Sequence, residues 1–233
     1  MTPGNEWWRY DQLQSGEPYD WGQAGRGVSQ WDNIDFHLDL GCGTIPKARI
    51  GIDRHPAPGV DLAIDLETLM PAVAPAPDHN DHAIVAARKL WDAMEEEKPL
   101  FVGLPFPDDS IESIVSHHCL EHIRDNFIEL MDECHRILVP GGVMRIIVPL
   151  FPSRAAVEDP DHKRYFMEES FNAFCGAEDG SHWHESFSVP YTSCRFEEVD
   201  KDITGRVENP KDFWGPDDVR ELRVALRKWG SQV

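Results

Sequence analysis

Apolar positions along the chain follow two rhythms. Short, nearly continuous apolar runs lie at 36–40, 48–53, 60–65, 111–117 and 143–149. Runs of that length suit strands buried on both faces of a parallel sheet. Before the last run, Ile123, Phe127, Leu130, Met131, Cys134, Ile137 and Leu138 recur at the helical period. They predict an amphipathic helix over 123–138, stopped by Pro140-Gly141-Gly142. Strands separated by helices or crossovers predict an α/β sheet.

Other segments break this rhythm. Within 67–103, Ile84, Ala87, Leu90, Trp91 and Met94 share one face of a further predicted helix. Past residue 160 the pattern predicts a short helix near 167–175, a strand-like stretch over 185–203 and a final helix from about 216 to 229. Residues 1–34 have little periodicity, and their tryptophans and tyrosines read as anchors that pin an irregular arm onto a core or over a pocket. The expected organisation is one domain over 1–233, with an aromatic arm (1–34), an insertion (67–103) and a C-terminal, substrate-side region (151–233).

Composition narrows the function. The 22 basic and 42 acidic residues give a net charge of -20, which repels phosphate backbones and anionic lipid. The five cysteines are odd in number and lack a CxxC pair, which argues for a reducing compartment. The first residues, "MTPGNEWWRYDQLQ", lack the basic and apolar regions of a secretory leader, and no apolar run reaches membrane-spanning length. The expectation is a cytoplasmic protein with no membrane partner and with nucleic acid disfavoured as a partner.

The chemistry concentrates at Leu38-Asp39-Leu40-Gly41-Cys42-Gly43 and at Asp53, ten positions after the second glycine. A glycine turn at a strand end lets backbone N–H groups approach a ligand closely, and an acidic residue ending the next strand can accept ribose hydroxyls. NAD, FAD and S-adenosylmethionine all use this layout. A dinucleotide wants a third glycine, where Pro46 stands, and about twenty residues before the acidic position. It also wants a helix N-terminus for its pyrophosphate, which "TIPKA" is too short to supply. S-adenosylmethionine carries no phosphate and tolerates the missing helix.

Read together, "LDLGCG", "GID", "DL", "LPFPDDSIESIVSHHCLEHI" and "LMDECHRILVPGGVMRIIVP" resemble the class I S-adenosylmethionine-dependent methyltransferases. The closest resemblance is to a subgroup with an abbreviated first helix and an SHVLEH-like segment. It covers residues 36–150 and extends to "DPDHKRYFMEESFNAF" at 159–174. The resemblance implies a Rossmann-like, seven-stranded, mostly parallel sheet with a reversed last strand and helices on both faces. It implies that Asp39, Gly41 and Gly43 line the methionine part of the cofactor. Asp53 would hold the ribose hydroxyls, Asp65 and Leu66 would edge the adenine, and His117 would lie under the sulfonium. S-adenosylhomocysteine would be the product. The chain departs from the subgroup at 67–103, which separates Asp65-Leu66 from Leu104-Pro105-Phe106-Pro107-Asp108. A lid, a substrate wall, a homodimer contact or a plain surface excursion all fit that segment.

In-line methyl transfer chiefly needs alignment, but a hydroxyl acceptor also needs a base. His118 and His122 are the candidates, since both follow the strand at 111–117. His122 serves equally well as a cap or packing group for the next helix. No metal is expected, because Glu121 falls in the wrong slot for an HExxH site. His162, Arg164 and Tyr165 should border the acceptor pocket, and the histidines of "HWH" at 182–184 could reach it. The leading function is methylation of a small molecule or glycan at a hydroxyl or amine. No (D/N/S)PP(Y/F/W) motif and no Pro-Cys pair supports base methylation. Ribose or tRNA methylation stays open, as does a scaffold that keeps the fold without catalysis. A dehydrogenase is disfavoured by the missing third glycine.

Overall fold

The computed structural model describes residues 36–44, 46–71, 81–82, 84–85, 103–176, 192, 194–205 and 220–229. The aromatic arm, nearly all of the helix expected after residue 80 and the histidines at 182–184 lie outside them.

The described chain builds one sheet from β1 (Leu38–Leu40), β2 (Ile50–Asp53), β3 (Leu62–Asp65), β4 (Met70–Pro71), β5 (Ile111–His117), β6 (Leu138–Pro149), β7 (Phe196–Thr204) and β8 (Glu221–Lys228). Their order across the sheet is β4-β3-β2-β1-β5-β6-β8-β7. β1, β2, β3, β5 and β6 run parallel. β8 runs antiparallel between β6 and β7, and the two-residue β4 closes the other edge. This is the seven-stranded sheet with a reversed last strand, plus one short edge strand. The central strands are apolar because both faces are covered: Leu38, Leu40, Ile50, Ile52, Ile114 and Met144 are fully buried.

Helix α1 (Phe127–Ile137) packs Phe127, Leu130, Met131, Cys134 and Ile137 inward. It starts later than its apolar stripe, because Ile123 is extended (φ −87°, ψ 120°) where it closes the separate 3₁₀ turn Leu120–His122. It also ends before Pro140: Leu138 turns extended and pairs with Ile111, so the expected helix stop lies inside β6. Gly142 is needed there, since a Cβ would stand 2.9 Å from the carbonyls of Glu112 and Val139.

The final element is not the expected helix. Glu221–Lys228 is strand β8, with Leu222, Val224 and Leu226 buried at period two. Its residues favour helices in isolation, but pairing with both β6 and β7 decides the outcome. The helix expected near 167–175 shrinks to a 3₁₀ turn at Asn172–Phe174. What holds that segment is aromatic packing: Phe166, Phe171 and Phe174 cluster on Phe127 of α1, with centroids 5.5–6.4 Å from its ring. The strand-like stretch resolves into β7, which begins only at Phe196.

The insertion leaves and returns at one place. Gly103 N–H reaches the Leu69 carbonyl at 3.4 Å, so the ends of the excursion lie together. The returning chain is clamped by Glu133 of α1, which accepts Leu104 N–H at 2.7 Å and pairs with Arg136 at 2.7 Å. Arg136 in turn donates to the carbonyls of Leu104 and Phe106. Glu133→Ala leaves a donor and a guanidinium short of a partner, and should cost about 2 kcal/mol in urea unfolding. An unchanged midpoint would mean the clamp carries no weight.

Candidate functional site

Every parallel strand from β3 to β5 ends at the same edge of the sheet, and the candidate residues sit just past those ends. This is where open α/β sheets bind ligands. The turn after β1 is folded back by Gly41 and Cys42, whose N–H groups both donate to the Ile52 carbonyl at 2.8 and 2.9 Å. Gly41 has φ +72°, and a Cβ there would stand 2.4 Å from Cys119 Sγ. Only glycine lets β1 and the chain after β5 meet so closely. Gly43 has φ +60° with no atom within 4 Å of its missing Cβ, so its side of the turn is open.

Three carboxylates organise the edge. Asp53, ending β2, accepts Gly43 N–H at 2.9 Å and His55 N–H at 3.0 Å, one on each oxygen. It therefore shapes the glycine turn while lining the cavity. Asp39 is fully buried and accepts Lys47 N–H at 2.7 Å through Oδ2, while Oδ1 has no hydrogen-bond partner among the described residues. Burial raises its pKa, against the opposing pull of Lys47. Asp65, ending β3, accepts Glu67 N–H at 3.0 Å. Glu67 then accepts the N–H groups of Arg124 and Asp125 at 2.8 and 3.1 Å, which joins the β3 side of the site to the chain entering α1.

Beyond β5, His118 adopts φ +50° and its ring lies between two carboxylates. Nδ1 stands 3.2 Å from Glu121 and Nε2 stands 3.0 Å from Glu221. Burial disfavours the charge, but these hydrogen bonds outweigh it and raise the His118 pKa to about 9. Burial likewise opposes charge on Glu221, and the pairing with His118 overcomes it, holding its pKa near 2. Neighbouring His117 goes the other way. Burial, then the charge of His118, lowers it to about 3.

Both ring nitrogens of His118 are thus engaged by carboxylates, an arrangement that favours its protonated form. His118 holds its proton more tightly folded than unfolded. Its stabilisation is complete below its ordinary pKa of 6.5 and is lost as pH rises through about 9. Glu221 contributes fully above its ordinary 4.5 and loses that contribution as pH falls through about 2. The pair thus stabilises most between those ordinary values. In thermal melts from pH 6 to 10, the natural chain should lose stability towards pH 9, and His118→Gln should lack that decline. Parallel curves would refute the pairing.

A cavity of about 470 Å³ opens at this edge, and its wall includes Gly41, Asp53, Asp65, Leu66, His118 and His122. Asp39, Gly43 and His117 do not line it. Cys119, Glu67, Asp161 and Lys163 also line it and were not singled out from the sequence as cavity groups. Glu221 lies 103 positions from His118, and nothing local in the sequence marks that pairing. Arg164 donates to the carbonyls of Ile123 and Arg124 and lies 4.4 Å over the Phe127 ring, so it braces the wall. Tyr165 is exposed.

Residues 38–146 match a family model described as a methyltransferase domain. A protein from Mycolicibacterium smegmatis, described as a probable S-adenosylmethionine-dependent methyltransferase, is 26% identical over 110 residues, covering 46% of this chain and 41% of that protein. One of the same description from Mycobacterium tuberculosis is 27% identical over 93 residues, covering 38% of this chain and 34% of its own length. The match thus spans less than half the length of these relatives. Among solved structures, a Burkholderia thailandensis N1-methyltransferase with bound S-adenosylhomocysteine aligns at TM-score 0.43 and 14% identity, over 82% of this chain and 70% of that one. The [4+2]-cyclase SpnF aligns at 0.44 and 15%, over 94% and 92%. Likenesses this distant carry no weight for substrate.

Proposed function

We propose that the chain, whose residues 38–146 match a methyltransferase domain, is a class I S-adenosylmethionine-dependent methyltransferase that methylates a small molecule or glycan at a hydroxyl or amine. The observation that carries this reading is the cavity at the strand ends, walled by the residues that close β1, β2, β3 and β5.

The residues fit the family's cofactor. The glycine turn has an open side at Gly43, and among the described residues a buried Asp39 oxygen has no hydrogen-bond partner and each oxygen of Asp53 accepts one backbone N–H. A carboxylate oxygen can accept a second hydrogen bond, so Asp53 keeps capacity for two ribose hydroxyls. Asp39, Gly41 and Gly43 would hold the amino-acid end, Asp65 and Leu66 the adenine, and His117 would stand near the reactive centre. The cofactor supplies an activated methyl group on a sulfonium, so the protein has mainly to orient an acceptor and exclude water. His118, locked between Glu121 and Glu221, fixes the wall on the transfer side.

A net charge of -20 favours a small acceptor over nucleic acid. The test is incubation with methyl-labelled S-adenosylmethionine and separate pools of hydroxyl acceptors, amine acceptors and tRNA. Label in a hydroxyl or amine pool supports the reading. Label confined to tRNA overturns it.

A further inference from the structure

Glu121, His122 and His162 form a second cluster on the transfer side of the cavity. Their ligand-capable atoms all lie within 4.8 Å of one another. Glu121 and His122 come from the 3₁₀ turn after β5, and His162 comes from the loop after α2 (Arg154–Glu158). Main-chain bonds fasten the two segments: the Glu121 carbonyl accepts the N–H groups of Lys163 and Arg164 at 2.7 and 3.0 Å.

The hydrogen bonds around the rings point to a ligand. His122 Nδ1 lies 3.1 Å from the Asp161 carbonyl, and His162 Nδ1 lies 3.0 Å from the Ala156 carbonyl. A carbonyl only accepts, so each Nδ1 carries the hydrogen and each Nε2 keeps its lone pair. Metal-binding histidines are oriented in this way, with the second nitrogen donating to a carbonyl or carboxylate. Beside them stands Glu121, only 1% exposed: its Oε1, 3.2 Å from His118 Nδ1, lies 4.0 Å from His162 Nε2, and its Oε2 has no hydrogen-bond partner among the described residues. A carboxylate oxygen buried without a donor is costly unless something positive reaches it.

We propose that Glu121, His122 and His162 bind a divalent transition-metal ion of the zinc type. Two imidazoles and a carboxylate are a suitable set for such an ion, with a further position open for water or substrate. Asp159 stands 3.9 Å from His162 Nε2 and can supply a fourth ligand. Zinc holds nitrogen and oxygen ligands at about 2.0–2.1 Å, or roughly 3.3 Å from one another, so the side chains close inward by on the order of 1 Å. The His117, His118 and Glu221 group is equally compact, but both His118 nitrogens are committed to carboxylates. His162 is sequestered, with an 8% exposed side chain, whereas His122 is 34% exposed and lies on the cavity wall. An ion there reaches the cavity and lowers the pKa of a hydroxyl bound to it. That role rests on the methyltransferase reading.

The test is titration of the metal-stripped chain with Co(II), followed by its visible absorption, and with Zn(II) by calorimetry. One equivalent of each is expected, with Zn(II) displacing Co(II). His162→Gln and His122→Gln should each weaken binding by roughly tenfold or more, with unchanged circular dichroism. Glu221→Gln should alter it only slightly. No saturable binding overturns the inference, as does binding lost in Glu221→Gln and retained in His162→Gln. S-adenosylhomocysteine is titrated into the same samples. Nucleoside binding without metal binding sinks the metal site alone, and metal binding without nucleoside binding leaves the site standing while the cofactor reading fails.

Discussion

Asp53→Ala is expected to weaken S-adenosylhomocysteine binding by about two to four orders of magnitude. Two hydrogen bonds from ribose hydroxyls to a charged carboxylate are worth about 1.5–3 kcal/mol each. Each 1.4 kcal/mol is roughly a tenfold change in affinity. The same side chain also holds the N–H groups of Gly43 and His55, so its loss loosens the glycine turn. The fold should survive, because Asp53 is only half-buried at a strand end and the core of β2 lies in Ile50 and Ile52. Calorimetric titration checks the affinity and thermal unfolding checks the fold. Unchanged affinity would remove Asp53 from the ribose site. Asp53→Asn should fall between, since the amide keeps one acceptor oxygen but loses the charge.

Gly41→Ala is expected to destabilise the fold by roughly 2–5 kcal/mol. The left-handed backbone costs a β-carbon about 1–2 kcal/mol. Collision with Cys119, whose Sγ and Cβ would lie 2.4 and 2.6 Å away, adds the overpacking penalty, about 1–3 kcal/mol. Gly43→Ala is the matched control. Its φ is +60° and its surroundings are open, so only the backbone cost of about 1–2 kcal/mol applies. Urea unfolding of the two variants separates the terms. Equal losses would mean that Cys119 moves aside freely. Cys119→Gly in the Gly41→Ala background should restore the steric share and leave the backbone share.

The glycine turn, Asp53, the five parallel strands and the stripe of α1 were legible because each has a local cause. Buried strands need apolar runs, the amphipathic helix has its period, and the turn needs glycine. β8 was not legible. Leu222 and Leu226 are four apart and Val224 and Ala225 fill the same stretch, so a helix and a strand both satisfy the pattern. The register with β6 and β7 chose the strand, and that is a non-local fact. The same strand carries Glu221, so reading it as a helix hid the carboxylate that engages His118 Nε2. Glu121 was visible in the motif, but a search for ligands at one helical spacing passed over His162, which arrives from 41 residues away to meet it.

The central claim is that the cavity at the ends of β1, β2, β3 and β5 holds S-adenosylmethionine. The most direct measurement is calorimetric titration of the purified chain with S-adenosylmethionine and S-adenosylhomocysteine, with NAD as the control. Saturable one-to-one binding of the first two, with none of NAD, is the expected result. Binding of NAD, or of none of the three, would contradict the account.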